Sequence, residues 1–258
     1  MVAPLDGSVT RTLTTSDGVG LAAAWWPAEG PSRAVVVLVH GLAATRDHPH
    51  IRALARRLRS RGFEVVAYDS RGHGASEGVC TLGDLERLDV AAAVEWARQR
   101  QRPVVLVGAS MGGIAVLRYA VCDYELAGAV VVSSPAEWRM SLRPRTLLAA
   151  GVVRTRPGRW LAARRMGVRI GPTWTSAEPP RSLADRVTCP LAVVHGCRDL
   201  LVPASNYLDL PMRAGFRRHV ALVRDMGHAY DPVGHDSVCA AVEWTLEQNV
   251  ASSAAPSA

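Results

Sequence analysis

The stretch Val104-Val105-Leu106-Val107-Gly108-Ala109-Ser110-Met111-Gly112-Gly113 decides the fold. Its first four residues are an apolar run that reads as a buried strand, and Gly112 opens a run to Val121 with helical spacing. Between them stands a Gly-x-Ser-x-Gly turn. A turn this tight puts the serine in strained dihedrals, and the flanking glycines remove the side chains that would clash. The Ser110 hydroxyl is then expected to project above the sheet edge, at a helix N-terminus that favours developing negative charge. A nucleotide-binding fold also carries a glycine-rich strand-to-helix turn. There, however, the phosphate turn belongs to the first strand–helix unit, and this one comes later in the chain.

The same alternation continues on both sides. Ser8 to Thr15 and Val19 to Trp26 read as a hairpin around the turn Ser16-Asp17-Gly18. Ala34 to His40 is a β-branched strand. Ile51 to Arg61 is a helix with Ile51, Leu54, Ala55 and Leu58 on one face, and Phe63 to Tyr68 is a strand. Thr81 to Arg100 reads as a helix opened by a Thr81-x-x-Asp84 cap-like pair and carrying Leu85, Leu88, Ala92 and Trp96. Downstream, Gly128 to Ser133, Leu191 to His195 and His219 to Val223 are strands, and Ala204 to Ala214 and Val233 to Gln248 are helices. Strands and helices in alternation imply an α/β fold whose parallel sheet is covered on both faces. The segment from Ser134 to Val187 holds Pro144, Pro157, Pro172, Pro179 and Pro180 and is too long for an ordinary loop. It reads as an inserted helical cap. The expected division is a core of residues 1–133 and 188–250, a cap of 134–187, and a small, polar, disordered tail of 251–258.

A serine hydroxyl needs an adjacent base to act as a nucleophile, and in this architecture the acid and then the histidine follow the serine in the chain. Asp199, in His195-Gly196-Cys197-Arg198-Asp199, follows an apolar strand, and His228, in Met226-Gly227-His228, follows the last strand. Ser110, Asp199 and His228 are therefore expected at one edge of the sheet. Glu137, after the sixth strand, is the rival for the acid. Asp225 and Asp231 are too close to His228 in sequence to reach its ring from behind. The oxyanion donors expected are the backbone N–H groups of Met111 and of Leu42, the latter in the loop that begins His40-Gly41. His40 reads as a buried residue shaping that loop. His235 is read as opening the last helix, and His48, His50 and His219 as surface or loop residues.

Taken together, His40-Gly41, Asp69-Ser70-Arg71-Gly72-His73-Gly74-Ala75-Ser76, the serine turn with Met111-Gly112-Gly113, Gly196-x-x-Asp199-x-x-Val202-Pro203 and Gly227-His228 resemble the α/β-hydrolase superfamily, and within it the monoacylglycerol lipase and serine aminopeptidase-like hydrolase group. The resemblance runs over roughly residues 8 to 249 apart from the cap. It implies a mostly parallel eight-stranded sheet with an N-terminal antiparallel hairpin. It also implies cleavage of an ester or thioester through an acyl-enzyme, without a metal or other cofactor. The Arg71 to Ser76 stretch is a marker of the group and reads as a structural turn.

Composition narrows the setting. Hydrophobic residues make up 48% of 258, yet no apolar run approaches the ~20 residues of a membrane span. The first ten residues lack a basic region followed by an apolar run, so a cytoplasmic enzyme without a signal peptide is expected. The five cysteines fit no zinc spacing. Cys122, Cys189 and Cys239 read as small core residues, and a disulfide between Cys189 and Cys197 is not expected in that compartment. All 30 basic residues are arginine. Eleven of them, against Glu137, Glu178 and Asp185, lie between Ala136 and Arg186, so this segment carries +8 of the net +7 and the remainder sums to −1. Such a face either is simply solvated or attracts an acidic acyl donor such as coenzyme A or an acyl carrier protein. Trp138, Trp160 and Trp174 are candidates to line an acyl pocket. A nucleic-acid binder lacks support, because the arginines sit in no recognisable binding motif. A catalytically silent binding protein of the same fold is the other alternative, against which the intact serine, acid and histidine argue. Oligomeric state is left open.

Overall fold

In the strands Ala34–Val39 and Val104–Ala109 every residue is apolar because both faces are covered. Val35, Val37 and Val39 enter one buried cluster while Ala34, Val36 and Leu38, between them, enter another. The same split separates Val104 and Leu106 from Val105 and Val107 in the strand that leads to Ser110. This two-period alternation of direction within a uniformly apolar run is what a sheet sandwiched between helices requires.

The computed structural model describes residues 7–137, 151–171, 178–204, 207 and 217–253. Among these residues eight strands form one sheet: β1 (Val9–Thr14), β2 (Gly20–Trp26), β3 (Ala34–Val39), β4 (Phe63–Tyr68), β5 (Val104–Ala109), β6 (Gly128–Val132), β7 (Leu191–Gly196) and β8 (Arg218–Val223). Their order is β1-β2-β4-β3-β5-β6-β7-β8. The β1–β2 and β2–β4 pairings are antiparallel, and the pairings from β4 through β8 are parallel. The expected N-terminal hairpin and mostly parallel sheet are both present.

On one face lie α2 (Glu86–Arg98) and α3 (Met111–Ala120), and on the other α1 (Pro49–Ser60) and α6 (His235–Ser253). Helix α1 buries Ile51, Leu54, Ala55 and Leu58, the four residues its spacing singled out. Helix α2 departs from expectation. It begins at Glu86, and its buried face includes the carboxylates Glu86 and Asp89 beside Val90, Ala93 and Ala97. Thr81 does brace this region, chiefly through Glu86, while Asp84 N–H donates to Thr81 O at 3.4 Å. The Thr81 N–H and hydroxyl donate to Glu86 at 2.7 and 2.6 Å, and Leu85 N–H donates to the Thr81 hydroxyl at 2.8 Å. Asp89 accepts from the Arg71 backbone N–H and guanidinium at 2.8 and 2.7 Å, and the same guanidinium reaches Asp17 in the β1–β2 turn. The Arg71 turn is thus an ion-paired brace, as its reading as a structural element requires.

Two further expectations change. Cys122 is exposed, not a core residue, whereas Cys80 is buried with Cys189 and Cys239. Cys189 and Cys197 carry free thiols. The last helix continues to Ser253, into the stretch read as a disordered tail, while residues 254–258 lie outside the described residues. Of the segment read as a cap, residues 151–154 are helical, followed by α4 (Arg156–Arg165) and α5 (Pro180–Ala184). Its return path is stitched to the body through bridges of Val168 to His73 and of Ile170 to Cys80. Trp138, Trp174 and most of the helix read at Ala204 to Ala214 lie outside the described residues.

Candidate active site

The chain leaves β5 and enters α3 at Ser110, whose φ is 51° and ψ −117°. A serine holds this left-handed backbone only because its surroundings dictate it. Ser110 N–H donates to Val132 O of β6 at 2.9 Å, and the Ser134 hydroxyl donates to Ser110 O at 3.0 Å. Gly112 lies so close to the end of β3 that a Cβ there would collide with the carbonyl oxygens of Val39 and His40. The glycine is therefore a steric requirement of bringing the turn against the next strand. From that strand comes Gly41, where an added Cβ would stand 3.1 Å from Ser110 Cβ and 3.8 Å from its Oγ. The loop carrying Leu42 thus runs directly beside the serine. His40 holds the base of this loop: buried, it donates from Nδ1 to Gly41 O at 2.8 Å and accepts at Nε2 from Ser70 N–H at 2.9 Å. Burial, helped by nearby His73, pushes its imidazole down to about 3, so it is a neutral strut.

Two loops at the far end of β7 and β8 carry the other candidates. Cys197 N–H donates to Val223 O and Arg198 N–H to Met226 O, each at 3.0 Å. Gly196 permits the approach, since a Cβ there would strike the carbonyls of Met226 and Gly227. The result places His228 Nδ1 2.7 Å from Asp199 Oδ2. The other Asp199 oxygen accepts from the N–H groups of Leu201 and Val202 at 2.9 and 2.8 Å. Burial alone would raise the Asp199 carboxyl. The His228 hydrogen bond and the two amides outweigh it and hold the group below the usual carboxylate range. The neighbouring carboxylates have other work. Asp231 accepts from Gly227 N–H at 2.8 Å and Val233 N–H at 3.0 Å, which fixes the histidine loop, and Asp225 pairs with Arg198 at 2.8 Å.

Ser110 and His228 line one cavity of about 520 Å³, together with Leu42 and Met166. Its wall also includes His48, His50 and Tyr230, which no motif marked. The two histidines are exposed, as their reading as surface or loop residues expected, and they also line the cavity. Their proximity to Ser110 arises from the loop between β3 and α1 turning back over the sheet edge, and sequence spacing carries no signal of that. Trp160 is 59% exposed, and among the described residues that line the cavity it is absent. Among the described residues no group of three or more histidines, cysteines or carboxylates is placed to hold a metal ion.

Comparison with known proteins agrees with this architecture. Residues 30–181, more than half of the chain, match the family model Hydrolase_4, described as Serine aminopeptidase, S33. Human monoglyceride lipase is 32% identical over 127 residues, which are 47% of this chain and 41% of that protein. The thermostable monoacylglycerol lipase of a Bacillus species is 27% identical over 193 residues, 66% of this chain and 72% of its own. The matched region thus spans less than half of the human relative. In overall shape a Pyrococcus furiosus esterase superposes with a TM-score of 0.72 at 21% identity, covering 96% of this chain and 95% of that one. Among the described residues no helix is long and apolar enough to cross a membrane. The match over residues 30–181, which hold β3 to β6 and the serine turn between β5 and α3, on a sheet of this order, makes the chain a member of the Hydrolase_4 family of α/β-hydrolases.

Proposed function

We propose that the protein is a serine hydrolase of carboxylic esters, acting through an acyl-enzyme on Ser110. The observation that carries this reading is the Asp199–His228 pair at 2.7 Å, opening on the same cavity as a serine held at φ 51°. Asp199 orients the His228 ring and keeps the proton on Nδ1, which leaves Nε2 as the base. Nε2 takes the Ser110 proton as Oγ attacks the ester carbonyl. The tetrahedral oxyanion is held by the N–H groups of Met111, at the start of α3, and Leu42, each donor supplying about 3 kcal/mol of barrier. His228 then returns the proton to the departing alcohol, leaving acyl-Ser110. Water, deprotonated by the same ring, releases the acid and restores the serine. The segment from 134 to 187 serves as the cap that shapes the acyl site.

Human monoglyceride lipase and the Bacillus lipase carry names for glyceride esters, and the cavity with its mostly apolar wall suits an acyl ester as substrate. The arginines of the cap favour a second reading, a thioesterase for an anionic donor such as coenzyme A or a carrier protein. Arg154, Arg156, Arg164 and Arg165 are all exposed on or beside α4. The test is labelling by a fluorophosphonate probe with p-nitrophenyl ester turnover alongside. Both should be present in the native chain and lost in Ser110→Ala. Labelling that survives in the variant would remove the serine from the reaction.

A further inference from the structure

The wall of the Ser110 cavity is mostly apolar, formed by side chains such as Leu42, Ile51, Leu201 and Val202. Besides Ser110 and His228, its polar side chains among the described residues are Tyr230, His48 and His50. Tyr230 is already committed, since its hydroxyl, buried in the sheet, lies 2.9 Å from Val107 O and 3.1 Å from Val39 O. The two imidazoles are what remains to meet a polar group of a bound molecule.

They are also held in place. His48 is the N-cap of α1, and its Nδ1 accepts from the His50 backbone N–H at 3.3 Å. An acceptor at Nδ1 puts the proton of the neutral ring on Nε2, so His48 retains one N–H donor. Pro49 between them fixes the backbone, and the two rings meet edge to face with centroids 5.1 Å apart at 83°. Partial burial, and secondarily the neighbouring His50, lower the His48 imidazole below its ordinary range, which favours the neutral donor over a cation. An apolar cavity with a few placed donors is the usual form of a site that fixes a ligand's orientation through an oxygen.

We propose that His48 and His50 form a hydrogen-bonding subsite in the Ser110 cavity that selects esters carrying an uncharged oxygen acceptor away from the scissile carbonyl. The proposal rests on the ester-hydrolase reading. It adds a substrate feature that the triad does not specify.

The test uses three isosteric substrates: butyl hexanoate, and its two analogues in which one ether oxygen replaces a methylene, in the alcohol chain or in the acyl chain. The quantity read is the ratio of kcat/KM for each ether to that for butyl hexanoate, so that any general loss of activity cancels. One neutral hydrogen bond corresponds to a preference of about 3- to 10-fold, and the chain in which it appears tells on which side of the ester the subsite lies. In His48→Phe the ratio should fall to about 1. Because His48 also caps α1, His50→Phe, which leaves that cap acceptor in place, is measured as well, and a fall in either variant supports the subsite. A ratio of about 1 in the native chain, or a preference kept in both variants, overturns it while leaving the hydrolase reading intact. No turnover of any of the three esters overturns the ester reading and the subsite with it.

Discussion

The sheet and the segment after β6 obey opposite rules. Strands β3 to β7 are buried along their whole length, so their apolar runs can have only one meaning. Helix α4 of the insertion buries Ala162 alone, exposes Trp160 and Leu161, and stacks Arg164 over Trp160 with the guanidinium carbon 5.0 Å from the ring centroid. Where burial is complete, hydrophobicity maps directly onto structure. Where a helix mixes four arginines with exposed apolar residues, its apolar residues no longer report which face is covered. On the proposed mechanism the chemistry lies in the body, and the segment after β6 is where selectivity is to be sought.

That contrast is sharpest at the acid. If the body alone carries the chemistry, Asp199→Asn should lower kcat by about 10³- to 10⁴-fold, because the imidazole loses the partner that fixes its tautomer. Glu137→Gln, where the insertion begins, should change kcat less than about 3-fold on the same reasoning. The reverse ranking in steady-state ester hydrolysis would move the acid to the end of β6.

Stability should divide in the same way. Leu106 is fully buried in β5, and Leu106→Ala should cost about 2–5 kcal/mol through lost burial and a cavity. Leu161 is 44% exposed, and Leu161→Ala should stay within about 0.5 kcal/mol. Urea midpoints of the two variants check this. A comparable loss at Leu161 would mean that the helix packs on a surface beyond the described residues.

A smaller effect is expected from the charge of the insertion. Reversing Arg164 and Arg165 to Glu should reduce the preference for acyl groups on anionic donors by about 10-fold at low salt. The difference should fade as salt shortens the screening length to about 8 Å and below. Equal salt dependence for neutral and anionic substrates would leave these arginines without a part in substrate choice.

The smallest effect belongs to the brace between the hairpin and the Arg71 turn. The hydrogen bond from Arg71 lowers the Asp17 carboxyl to about 2, against an unfolded value of about 3.9. A carboxyl lowered by folding adds stability above the unfolded value and loses it as pH falls toward the folded one. Asp17→Asn should therefore be less stable than the native chain at pH 7, with the gap closing between about pH 4 and 2. Asp17 is more than a third exposed, so solvent keeps the gap within about 1 kcal/mol. A gap independent of pH in urea unfolding would show that the hydrogen bond, and not the charge, matters there.

Most of the site was legible because its parts obey local rules. The serine turn needs Gly112 for close packing, the candidate acid and histidine follow apolar strands, and Gly196 lets their two loops meet. Helix α2 was misread because Glu86 and Asp89 look like solvent-facing residues, although both are buried: Glu86 accepts from Thr81 and Gly83 in the turn just before the helix, and Asp89 from Arg71, eighteen residues away. Cys122 follows the end of α3 and faces solvent, because an apolar neighbourhood in sequence says nothing about which side of a helix end is covered.

By itself, then, the sequence determined the alternation of elements, the parallel sheet and the three residues placed at its edge. Those follow from side-chain period, steric demand and chain order, all of which act over a few residues. Only the tertiary structure decided that Asp199 meets His228, that Asp89 turns inward to Arg71, and that His48 and His50 stand in the wall around Ser110. These depend on surfaces brought together from distant parts of the chain, where a buried charge is tolerated because a partner waits for it and a surface histidine becomes part of a cavity because a loop folds back.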